Sequence, residues 1–252
     1  MNVAADLEQL GLAAGARVVV HSSLRQIGAG AAEAVAALVD VVGPRGLLVV
    51  PTFTYTTDRF DPATTPGRSG ALAEELRRRP GAVRSLHPTH SVAAFGDGAA
   101  ELCEGHETHA ATDVDTPLDR LAAGGGYVLL LGVGHVADTT AHVGEFHAEA
   151  PYLEIPFSPD WPREHEIVVG REVMRVAYDR FPGCSRAFGA LERGLRASGA
   201  IRDGRVGRAQ AQLVDGSAVV DETVALLRGD ASALLCTDPR CYRCTRAREL
   251  LA

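Results

Sequence analysis

Thr139, His142 and Glu145 recur at intervals of three within residues 126–149, GYVLLLGVGHVADTTAHVGEFHAE. On a helix that spacing sets the three side chains on one face, within its first turns. The positive end of a helix disfavours a charged imidazolium, while a neighbouring carboxylate favours it. An imidazole balanced in this way stays neutral near pH 7 and can accept a proton, as a general base must. The chemistry suggested is proton removal from a nucleophile. A histidine that merely caps or packs is the plainer alternative.

Elements on either side must hold that trio. Residues 127–133 are almost purely apolar and predict a buried strand, after which Asp138 or Thr139 serves as the helix N-cap. Residues 17–21, RVVVH, predict a second compact strand. The polar turn at its carboxyl end, Ser22, Ser23, Leu24 and Arg25, lies where α/β sheets bind ligands. Its backbone N–H groups and two hydroxyls suit an acyl carbonyl or a phosphate, and an ordinary serine turn is the alternative. Helices are expected over 6–12, 31–42 and 71–79, with strands over 46–54 and 91–96. Residues 55–70, rich in Thr, Asp, Pro and Gly, predict a long loop of the kind that is usually functional. Beyond residue 149 the pattern changes to an aromatic loop at 151–162, a β-ribbon at 166–178 and a hairpin around Gly204 and Gly207. The fold class expected is α/β: a layered α/β/α sheet with a smaller α+β C-terminal portion. Residues 1–252 read as a single domain, with 151–252 as the smaller subregion.

Composition narrows the classes. A net charge of -7 argues against nucleic-acid binding and suits cationic small molecules. The first nine residues hold two acids and no basic run. No apolar stretch approaches the roughly 20 residues of a membrane span. The expected compartment is the cytoplasm, with no membrane partner, and the oligomeric state is left open. There is no P-loop, dinucleotide fingerprint, G-x-S-x-G elbow or H-E-x-x-H helix.

Three polar clusters remain. Arg84, Ser85, His87 and His90 suit an anionic cofactor tail or a cleft wall. His106, Glu107, His109, Asp113 and Asp115 suit a cationic substrate. Either could equally be a solvated loop. Cys236, Cys241 and Cys244 have zinc-ligand spacing, and Cys184 could add a fourth thiolate to a structural site. Free thiols or a redox C-x-x-C are the alternatives; an odd total of five cysteines argues against a disulfide framework.

Taken together, VHSSLRQIG at 20–28, RSLHPTHSVAAFG at 84–96, TPLDRL…YVLLLGV within 116–133 and TTAHVGE at 139–145 resemble the aminoglycoside 3-N-acetyltransferase family, the antibiotic acetyltransferases unrelated to the GNAT fold. The resemblance covers most of residues 1–150 and, more weakly, the rest. It implies acetyl-CoA-dependent transfer to an amine by direct attack, with His142 as base and Thr139 and Glu145 holding it and the substrate. It also implies that Ser22, Ser23, Leu24, Arg84 and Ser85 lie near the pantetheine and phosphates of the cofactor. At residues 113–115 the chain departs from the Gly-rich segment that family members often carry there. Two rival functions follow: an acyltransferase of secondary metabolism with another acceptor or donor, and a zinc-stabilised binding module without catalysis. The intact trio favours an enzyme.

Overall fold

β1 (Arg17–Ser22) is apolar toward both faces and is therefore central to a sheet covered on both sides. The computed structural model describes residues 2–55 and 58–252. Its further strands are β2 (Leu47–Pro51), β3 (Arg59–Phe60), β4 (Val83–Arg84), β5 (Val92–Gly96), β6 (Tyr127–Leu131), β7 (Glu164–Val169), β8 (Glu172–Ala177), β9 (Ile201–Val206) and β10 (Ala209–Asp215). Seven form one sheet in the order β4-β5-β2-β1-β6-β10-β9, and β3-β7-β8 form a small second sheet. The core trio β2, β1 and β6 is parallel, and antiparallel strands flank it on both sides.

Alternation along each strand divides the core into two layers. Val19, Val49, Val128 and Leu130 pack with Phe146, Leu191 and Val219 on one face. Val18, Val20, Val50 and Leu129 pack with Leu7, Leu38 and Leu76 on the other. The architecture is the α/β/α layering expected from the sequence. The hairpin of β9 and β10 does not sit apart in a C-terminal portion: β10 pairs antiparallel with β6 and completes the main sheet. Likewise β3, from the loop at 55–70, pairs with β7. Positions 56 and 57 of that loop lie outside the described residues. Among the described residues no helix is long and apolar enough to cross a membrane.

After β1 the chain turns toward the helix Ala31–Val42 on one face; after β6 it turns toward the helix Thr140–His147 on the other. Connections that leave adjacent parallel strands toward opposite faces open a crevice at the strands' carboxyl ends. The helix Thr140–His147 is seated there by close approach to the helix Gly216–Gly229. A Cβ on Gly144 would meet the Thr223 Cβ at 2.4 Å and the Val220 carbonyl oxygen at 2.9 Å. Gly144→Ala is therefore expected to force the helices apart at an overpacking cost of about 1–3 kcal/mol. A lowered urea midpoint reads this directly, and an unchanged one would show that the seat tolerates a methyl group.

Candidate functional site

A cavity of about 660 Å³ opens at the carboxyl ends of β1 and β2. His21 and Ser22 line it from β1, Val50 and Pro51 from β2, and Thr139 and His142 from the segment that follows β6. Asp138, fully buried, fixes the entry to the helix Thr140–His147. One carboxylate oxygen accepts from the Thr140 N–H at 3.0 Å, and the other meets His135 Nδ1 at 3.1 Å. Asp138 thus supplies the capping hydrogen bond, while the Thr139 side chain makes none. The Thr139 N–H points instead to His21 Nε2 at 3.4 Å.

His142 and Glu145 meet as their spacing implies. Nδ1 lies 2.6 Å from Glu145 Oε2. Because a carboxylate only accepts, Nδ1 carries the proton and Nε2 keeps its lone pair. Glu145 is itself held in place: the Tyr152 hydroxyl donates to Oε1 at 3.0 Å and the Gly183 N–H to Oε2 at 2.6 Å. Burial raises the Tyr152 hydroxyl well above its ordinary pKa, which keeps it a donor. A side chain at Gly183 would overlap this carboxylate, with its Cβ 2.0 Å from Oε1. Phe188 meets the His142 ring edge-on at 4.7 Å. The imidazole has 12% of its side-chain surface exposed, against 1% for its carboxylate partner. The ring is thus reachable and its orienting group is not.

The other sequence-predicted residues distribute unevenly. Ser22 lines the cavity; Ser23 and Leu24 do not. The Ser23 N–H donates to the Leu131 carbonyl at 2.8 Å, tying the turn to the end of β6. Leu24 packs against the apolar layer beneath. Arg84 lies away from the cavity. Its guanidinium donates to the carbonyls of Thr52, Pro62 and Thr65 and to the Ser91 hydroxyl, which staples the 55–70 loop to the sheet. Burial lowers its pKa to about 10. Ser85 is buried between the Val92 N–H and His106 Nδ1, each at 2.9 Å. His106 also contacts the Ala111 carbonyl at 3.0 Å. Asp113 pairs with Arg180 at 3.2 Å and Asp115 with Arg120 at 2.7 Å. The Glu107 carbonyl accepts from the Tyr178 hydroxyl. None of His106, Glu107, Asp113 and Asp115 lines the cavity.

Of the Arg84 cluster, His90 does form cleft wall. Sequence reasoning gave no chemical role to His21, Arg186, Arg240, Arg243 or the aromatic wall of Phe53, Tyr55, Phe157 and Trp161, all of which line the cavity. A histidine ending a central strand was a usable signal for His21. The aromatic side chains come from two distant loops, and no local pattern unites them. Burial depresses the pKa of His21 to about 4 and that of His90 to about 3, so both rings are neutral at pH 7.

The cysteines converge. The sulfurs of Cys184, Cys236, Cys241 and Cys244 all lie within 4.8 Å of one another. A hydrogen bond from Cys244 is the main cause pulling the Cys184 thiol down to about 5. Cys184 and Cys241 also line the cavity, so the cluster sits in its wall.

Fold and site define the class first: an α/β protein with a histidine–carboxylate pair on a cavity at parallel strand ends. A family model described as aminoglycoside 3-N-acetyltransferase matches residues 19–228. The aminoglycoside N(3)-acetyltransferase VII of Streptomyces paromomycinus is 38% identical, over 89% of each chain. The aminoglycoside N(3)-acetyltransferase IV of a Salmonella species is 32% identical, over 89% of this chain and 85% of its own. Among solved structures, a histidine-to-alanine mutant of aminoglycoside acetyltransferase AAC(3)-IVa in complex with a gentamicin superposes with a TM-score of 0.86. That match is 31% identical and covers 98% of this chain and 95% of the other. AAC-IIIb in a binary complex with CoASH gives a TM-score of 0.76 at 28% identity, over 90% and 95% of the two chains. The chain belongs to the aminoglycoside 3-N-acetyltransferase family and is an acetyltransferase, which removes the reading as a non-catalytic module.

Proposed function

We propose that this enzyme moves the acetyl group of acetyl-CoA to an amine of a small molecule, with His142 as general base. The observation carrying the reading is the reachable imidazole whose Nδ1 is engaged by a buried, triply held carboxylate. The free Nε2 takes a proton from the acceptor ammonium. The amine nitrogen then bonds to the thioester carbonyl carbon and the C–S bond breaks; the proton on Nε2 passes to the departing CoA thiolate, and the second proton that the nitrogen sheds to become a neutral amide goes to solvent. Both substrates meeting in one crevice makes a covalent acyl-enzyme unnecessary. Glu145 holds the ring in the useful tautomer and stabilises the imidazolium that forms. Ser22 and Thr139 are proposed to contact the reacting groups. Arg186 and Arg240 at the same cavity are proposed to meet the CoA phosphates, since guanidinium groups recognise them bidentately. A relative's complex with CoASH supports the donor. The names of the relatives make aminoglycosides the first acceptors to test. Thiol release from acetyl-CoA across a panel of amines tests the reading. Failure of every amine to release CoA from enzyme that binds it would overturn the reading.

The cysteine cluster is proposed to hold a structural zinc. Its four sulfurs are already grouped closely enough for a small inward movement to complete a tetrahedral thiolate site. Such a site would tie the Gly183–Cys184 segment to the helix Tyr242–Leu251. Purified protein should then carry about one zinc per chain by elemental analysis. Cys244→Ser should lose the metal and melt at lower temperature. A metal-free preparation of full stability rules the site out.

A further inference from the structure

We infer that Cys184 is a positioning residue for the general base: its tether to the other three cysteines holds the Gly183 N–H against Glu145 and so fixes the His142 ring. The inference rests on the general-base and zinc readings above and joins them, making metal occupancy a control on turnover as well as on stability.

Three of the four sulfurs belong to one short stretch near the C-terminus. There the Cys236 N–H donates to Cys244 Sγ at 3.3 Å, and Arg248 donates to the Cys236 carbonyl at 2.7 Å. Cys184 comes from a separate part of the chain, and its sulfur lies within 4.8 Å of the other three. The residue before it is Gly183, which is buried. The Gly183 N–H donates to Glu145 Oε2 at 2.6 Å, the same oxygen that meets His142 Nδ1. A ligand of the proposed metal and the donor that braces the carboxylate are therefore adjacent residues, joined by one rigid peptide plane.

The remaining ties of this segment lie to either side. The Phe181 N–H donates to the Leu153 carbonyl at 2.6 Å, and the Phe181 carbonyl accepts from Arg243 at 3.0 Å. Phe188 is buried beyond the brace. The ion pair between Arg186 and Asp238 is largely exposed on the arginine side, the kind of contact that holds little. Cys184 is thus the tether next to the brace. Glu145 has 1% of its side chain exposed, so water does not replace a lost donor. If Gly183 withdraws, Oε2 keeps only the imidazole, and carboxylate and ring can turn together. Nδ1 then no longer holds its proton in the useful tautomer, which lowers kcat more than it changes KM.

The experiment uses the full chain as purified, after stripping with 1,10-phenanthroline, and after zinc chloride is restored. Cys184 and Cys241 line the cavity, which gives a chelator access. Zinc content, circular dichroism, CoA affinity and steady-state kinetics are measured on each form. Stripping should lower kcat about tenfold, the loss expected for one hydrogen bond to a buried charge, and zinc should restore it. Cys184→Ala leaves three thiolates that can hold zinc with a water molecule. This variant should keep the metal and the fold while losing kcat to the same extent. The deciding comparison is a double-mutant cycle. In Glu145→Gln, where the held tautomer is already lost, adding Cys184→Ala should cost no more than about twofold further, because both changes act through one contact. A merely structural tether predicts that the two losses multiply. Multiplying losses, or full kcat in folded Cys184→Ala, overturn the coupling and leave the zinc and general-base readings standing. Protein purified free of zinc overturns it together with the zinc reading, and undiminished turnover by His142→Ala overturns it together with the general base.

Discussion

His142→Ala should lower kcat for acetyl transfer by about 10²–10⁴-fold, the range a positioned general base supplies, while CoA affinity is retained. The side chain is short of packing duties: it touches Phe188 edge-on and Glu145 through one hydrogen bond, and the helix bearing it is seated by Gly144 instead. The fold should therefore survive, and a melting curve close to wild type is part of the expectation. Glu145→Gln supplies the companion measurement. An amide can donate as well as accept, so the ring is no longer held with its proton on Nδ1, and kcat should fall without a matching rise in KM. Wild-type turnover by the alanine variant would remove the imidazole from the mechanism.

A second large effect concerns acid. His21, His87, His90 and His106 are all buried, and burial places each below the ordinary 6.5: His21 and His106 at about 4, His90 at about 3 and His87 well down as well. Above pH 6.5 these rings are neutral in the folded and unfolded chain alike. As pH falls from 6.5 toward 4, only the unfolded chain takes up the protons, so folding loses stability throughout that window. Each ring contributes about 1 kcal/mol per pH unit. All four act in the same direction, so stability is expected to fall as pH drops below 6.5. Urea midpoints at about pH 7.5, 6 and 5 should fall steeply. A flat series would show that the rings admit protons in place.

The meeting of His142 with Glu145 was legible because its geometry is local: three residues apart on a helix means neighbours, whatever surrounds them. What fixes Glu145 was not, since Gly183 lies 38 positions along and Tyr152 beyond the end of the helix. The Arg84 cluster illustrates the opposite error. A dense run of arginine, serine and histidine looks like an anion cradle, but the guanidinium is satisfied by carbonyls that a long loop brings to it. The acids at 113 and 115 lie outside the cavity wall: Arg180 reaches Asp113 from 67 positions along the chain, whereas Arg120 holds Asp115 from only five. The cysteine grouping could be anticipated from spacing, whereas its position in the cavity wall depends on how the tail returns to the sheet. Apolar runs and turns identified the β9–β10 hairpin. Its docking beside β6 is a topological choice that no local pattern encodes.

That docking governs how the molecule is made. Residues 127–131 find their outer neighbour only when residues 209–215 have been synthesised, and the Gly207 N–H closes on Asp6 across 201 positions at 2.8 Å. A nascent chain halted near residue 200 carries a complete parallel trio with one apolar flank still open, the kind of bare strand that recruits other chains. Truncations that remove residues 209–215 should therefore precipitate rather than yield smaller working enzymes.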